Sequence, residues 1–73
     1  MELLIEFIER CLRFASDTSE IEFFRHQAFG AVMFYQELMA SQGVSYETLE
    51  QITDLWRTEY TERFDALWLK LKA

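Results

Sequence analysis

Residues 20–40 read EIEFFRHQAFGAVMFYQELMA, and the fold turns on how this stretch is buried. At about 100° per residue, Ile21, Phe24, Ala28, Ala31, Val32, Tyr35, Leu38 and Met39 fall on one stripe, the face expected to meet a core. The rest of the stretch is not polar. Phe23, Gly30 and Phe34 form a second line, and Phe29 with Met33 a third. A helix apolar on most sides is normally covered on most sides. The stretch is therefore predicted to be the central helix, with neighbours on more than one flank. Ser19 and Glu22 match the S-x-x-E capping box and place its start.

A second helix is predicted on the N-terminal side, over 2–15. Leu3, Leu4, Phe7, Ile8, Cys11, Leu12, Phe14 and Ala15 share one broad face, with Glu2, Glu6, Glu9, Arg10 and Arg13 opposite. Glu6 with Arg10 and Glu9 with Arg13 have the i,i+4 spacing that supports a helix. The cluster Ser16-Asp17-Thr18-Ser19 reads as the turn between the two helices. On the C-terminal side, Ser41-Gln42-Gly43-Val44-Ser45 reads as another turn, with Gly43 suited to the left-handed conformation that closes a helix. Ser45 is the expected cap of a third helix over 46–72. Its stripe is Leu49, Ile52, Trp56, Tyr60, Phe64, Leu67 and Leu71, bordered by Arg63. Leu55, Trp68 and Leu69 fall off it.

Two short turns make consecutive helices antiparallel, which predicts an all-α, up-down-up three-helix unit over 2–15, 20–40 and 46–72. The three helices would span roughly 21, 31 and 40 Å at 1.5 Å per residue. The last two turns of the third should then pass beyond the start of the second, carrying Trp68, Leu69 and Leu71 with them. Either that helix bends or the overhang meets another molecule.

The chain has 73 residues, no proline, one cysteine and one histidine. This is one domain's length, and a small domain buries a small share of its surface. With no internal disulfide and no Cys/His zinc set available, a partner subunit is the expected remedy. The uncovered apolar lines point the same way. Phe23, Phe29, Gly30, Met33, Phe34, Trp68 and Leu69 are the candidates for a two-fold homodimer interface, at least one of the lines Phe23/Phe34 and Phe29/Met33 taking part and Gly30 allowing close helix approach.

Thirteen acids against seven bases leave a formal charge of −6. A nucleic-acid binder needs clustered Lys and Arg, and so does a protein docking on anionic lipid; neither partner is expected. The opening Met1-Glu2-Leu3-Leu4-Ile5-Glu6 lacks the positive region of a signal peptide, and no run approaches a membrane span, so a cytoplasmic location is expected.

No residue pattern points to catalysis, a cofactor or a metal. Glu22 and His26 sit one helical turn apart, but a metal would need further ligands, and the bundle motif Glu-x-x-His does not occur. Cys11 falls on an apolar face, the setting of an inert thiol. Glu47, Glu50 and Asp54 form an acidic ridge opening the third helix, which favours the helix dipole and could dock a Lys- or Arg-bearing protein. The expected function is a non-catalytic, homodimeric regulatory or adaptor module acting through protein–protein contact. The alternative is an acidic inhibitor or nucleic-acid mimic that occupies a basic site on a partner protein.

Overall fold

A computed structural model of the chain describes residues 1–72, and every regular element in them is helical: α1 (Glu2–Thr18), α2 (Ile21–Ser41), α3 (Tyr46–Leu55), a π-helical turn (Trp56–Tyr60) and α4 (Thr61–Lys72). The last three form one continuous rod, so the all-α, antiparallel three-helix arrangement is the one expected. The molecule is elongated, 45 × 18 × 17 Å. Its radius of gyration of 13.1 Å exceeds the about 11 Å of a compact domain of this length.

The first turn is tighter than its four hydroxyl and carboxylate residues suggest. Thr18 Oγ1 donates back to the Phe14 carbonyl at 2.7 Å, so α1 continues to Thr18 instead of ending near Ala15. Ser19 then takes the left-handed conformation at φ 64° and donates its N–H to Ala15 O. Ser19 therefore closes α1 and is not the capping-box residue of α2. Glu20 holds the N-cap position without a side-chain bond, and its N–H goes to Thr18 Oγ1. The second turn follows expectation. Gly43 is left-handed at φ 84°, and Ser45 Oγ accepts from the Thr48 amide.

The rod is antiparallel to α2. Gln36 lies beside Leu49 and Thr53, Phe29 beside Trp56, Arg25 beside Asp65 and Glu22 beside Trp68. α1 runs parallel to the rod's second half, where Glu9 pairs with Arg63. α1 packs along α2 and α4, so α3 has α2 as its main neighbour. One core runs through all three rods: Leu4, Ile8, Cys11, Leu12 and Ala15 from α1, Ile21, Ala28 and Val32 from α2, and Ile52, Tyr60 and Phe64 from the third. Phe64 has 0% exposure, and the Arg25 guanidinium sits 5.7 Å from its ring centre.

The π turn explains the spacing of the third stripe. From Ile52 through Trp56 and Tyr60 to Phe64 every step is four residues, and each such step drifts about 40° on a regular α-helix. A wider i→i+5 turn takes up the drift. The Trp56 carbonyl accepts from both the amide of Thr61 and, at 3.0 Å, its hydroxyl.

The expected overhang is shortened to about one turn. Trp68 comes level with Glu22, the second residue of α2, and Leu67, Lys70 and Leu71 line an open cleft with Ser16, Ser19 and Ile21 at the α1–α2 turn. Among the described residues no helix is long and apolar enough to cross a membrane.

Candidate functional site

Of the candidate interface residues, Trp68 and Leu69 lie on α4, and the two lines on α2 face different ways. On its outer side Phe23, Gln27, Gly30, Phe34, Leu38 and Ser41 follow one another at helical spacing, and all are exposed. Phe34 is 70% exposed. The line runs about 27 Å along the helix and contains no charged residue, in a chain whose net charge is −6. At Gly30 an added Cβ would find no atom within 4 Å. α1 extends this surface. Phe14 packs 5.6 Å from Phe24, which meets Phe23 edge-on at 5.0 Å. Leu3 lies on the same line of α1 as Phe14 and is 81% exposed. Leu3 and Phe14 belong to the broad apolar face expected of α1, but α2 is too narrow to cover all of that face.

Phe29 and Met33 turn to the other side, toward the rod. Phe29 stacks loosely on Trp56 at 5.8 Å. Met33 lines a groove of about 440 Å³ between α2 and α3, with Ala40, Tyr46 and Leu49. Glu37 from one helix and Glu50 and Asp54 from the other stand at its edges, with Arg57 beside them. The acidic ridge is thereby split: Glu50 and Asp54 border the groove, while Glu47 is exposed in the first turn of α3. The groove's polar floor is already paired. Gln36 Nε2 donates to Leu49 O at 3.0 Å and also to Thr53 Oγ1, and Thr53 donates back to Leu49 O. Leu49 packs against the core, as its stripe implied, and also lines this groove, which the sequence reading did not foresee.

Trp68 lies against the start of α2, 36% exposed, its indole Nε1 donating to Glu22 Oε1 at 2.8 Å. Leu69 remains 70% exposed. Glu22 is thus engaged with Trp68 and lies 3.9 Å from Arg25 Nε; His26 is exposed.

The titrating groups with displaced pKa values are structural. Glu9 is held below its ordinary value by its hydrogen bond to Arg63. Burial, with help from nearby Glu9, pushes Tyr60 up. Burial also raises the Cys11 thiol, away from the thiolate a nucleophile needs. Among the described residues no three His, Cys, Asp or Glu side chains converge as a metal site would require. Compared with protein-family models, with curated proteins and with solved structures, the chain matches none of them.

Proposed function

We propose that the protein is a non-catalytic interaction module that pairs with a second copy of itself along the outer side of α2. The observation that carries this is the uncharged exposed line from Phe23 to Ser41. Two copies of an acidic chain repel each other, so a shared surface must avoid carboxylates. The line from Phe23 to Ser41 does so, with Glu37 at its edge. In a two-fold pairing, Gly30 marks the crossing point and the rings of Phe23 and Phe34 reach across to the partner.

Surface area supports the same conclusion. A folded monomer of 8.8 kDa exposes about 4,800 Å², whereas this one exposes 5218 Å². The excess includes large apolar side chains of the kind that mark interaction sites. The free, buried Cys11 suits a reducing compartment such as the cytoplasm. Pairing would leave the groove and its acids open on the far side of α2, so the dimer can serve as an adaptor or regulator.

Sedimentation at tens of micromolar tests the pairing. The expected result is a mass of two chains, reduced to one by Phe34→Glu with helicity unchanged. A folded wild-type particle of single-chain mass at that concentration overturns it.

A further inference from the structure

We infer that the groove between α2 and α3 is a docking site for a basic amphipathic helix of a partner protein, one that presents a large apolar anchor flanked by Lys or Arg. Three features of the groove specify this occupant, and none depends on the α2 seam.

The first is shape. About 440 Å³ exceeds what one side chain needs, and the wall of the third rod from Tyr46 to Arg57 runs about 16 Å, room for two to three turns of a helix. Helix-in-groove recognition uses apolar anchors at i, i+3 or i+4 and i+7.

The second is the floor. Met33, Ala40 and Leu49 present apolar surface, and the polar groups among them are paired within the fold through Gln36. An occupant gains by burying hydrocarbon there, not by finding free donors.

The third is charge, which selects among apolar occupants. Glu37 on α2 faces Glu50 and Asp54 on α3 across the groove. Arg57 is the one cation lining it, and it answers Asp54 only at 3.9 Å with both side chains well exposed. Among the described residues Glu37 and Glu50 make no ion pair. A helix bearing Lys or Arg on both flanks of its anchor would meet carboxylates on both walls, while an acidic helix or a phosphate backbone would be repelled. A second copy of this chain is also disfavoured, since its own charge is −6.

The test uses two synthetic helical peptides with the same Leu/Phe anchors, one carrying Lys on both flanks and the other Glu. Binding is read by fluorescence anisotropy and by amide chemical-shift mapping on the labelled full chain. The Lys peptide should bind, weaken about tenfold between 50 and 500 mM salt, and shift amides of 33–40 and 46–57. The Glu peptide should not bind. Charge reversal of the exposed rim, Glu50→Lys with Asp54→Lys, should cut Lys-peptide affinity at least tenfold and admit the Glu peptide. Phe34→Glu, on the opposite side of α2, should leave binding unchanged even where it alters mass, which separates this site from the seam. Equal binding of both peptides, no binding of the Lys peptide, indifference to the rim reversal, or shifts confined to the outer seam would each overturn the assignment.

Discussion

The indole of Trp68 donates its Nε1 hydrogen to Glu22 at 2.8 Å, tying the C-terminal end of the third rod to the first turn of α2. The pair fixes the register of the bundle at the end where the rod was expected to run free. Glu22 also sits in the first turn of its helix, where a carboxylate is favoured by the exposed amides.

Trp68→Phe keeps an aromatic ring but removes the donor together with the five-membered part of the indole. It should lower stability by about 1 kcal/mol, the usual net value of one hydrogen bond, and Glu22→Gln should lower it less because an amide oxygen can still accept. Chemical denaturation of the two variants measures this. If Trp68→Phe is as stable as the parent, the contact does not hold the rod.

Glu9 and Arg63 form the corresponding clasp between α1 and α4, a two-pronged guanidinium–carboxylate pair. Arg63 holds Glu9 below its ordinary value of 4.5. The sign follows from linkage: a carboxyl with a depressed folded pKa adds stability above its unfolded value, and that contribution is lost as pH falls through the folded value. Stability of the parent should therefore fall below about pH 4.5 more steeply than that of Glu9→Gln, and the two curves should converge at the acid end. Both side chains are substantially exposed, so the difference will be modest. Parallel curves from pH 6 to pH 3 would show that the pair adds nothing.

Ser19 is the one described residue other than glycine in the left-handed region. That conformation costs an ordinary residue about 1 kcal/mol, and glycine relieves it. Ser19→Gly should raise stability by up to about 1 kcal/mol, read as a higher denaturation midpoint with an unchanged slope. A lower midpoint would mean that the Ser19 side chain contributes something that offsets the strain.

The three rods and the all-α class were legible because their stripes are long and periodic. The π turn was not read from the sequence, which took 46–72 as ordinary helix, although the spacing carries its signal. Leu49, Ile52, Trp56, Tyr60, Phe64, Leu67 and Leu71 are spaced 3, 4, 4, 4, 3 and 4. Removing one residue between Trp56 and Tyr60 restores an alternating heptad pattern, so the rod reads as a regular helix with one residue inserted. Deleting exposed Thr58 should therefore leave a cooperative fold with a straight third helix. Inserting an alanine beside Thr58 should instead turn Phe64 about 100° out of the core and abolish cooperative unfolding. Circular dichroism with denaturant decides it; loss of the fold on deletion would mean that the turn itself is required.

The site was only half legible. Phe23, Gly30 and Phe34 were visible as a line that a single bundle leaves bare, because exposure on a helix follows from angle alone. Whether Phe29 and Met33 shared that surface depended on where the third rod lies, and one sequence does not fix the side of α2 on which a neighbour settles. Leu3 and Phe14 share α1's apolar face yet stay exposed for a related reason: an apolar stripe reports which residues avoid water, but the width of the neighbouring helix decides how many of them succeed. Trp68 was read as overhang because a nominal rise per residue took no account of the wider turn or of α1's extra residues.

Gly30 is where stability and association can be separated. Glycine inside a helix costs about 1 kcal/mol relative to alanine, and here an added methyl meets nothing within 4 Å. Gly30→Ala and Gly30→Leu should both stabilise the single chain by about 0.5–1 kcal/mol, measured in a Phe34→Glu background so that association does not enter. In the parent background the two should diverge. If copies cross at Gly30, alanine weakens pairing slightly and leucine, which holds the helices apart, raises the dissociation constant tenfold or more. A leucine variant that is more stable and still pairs as tightly as the parent would leave Gly30 without a packing role and would move the crossing point elsewhere along α2.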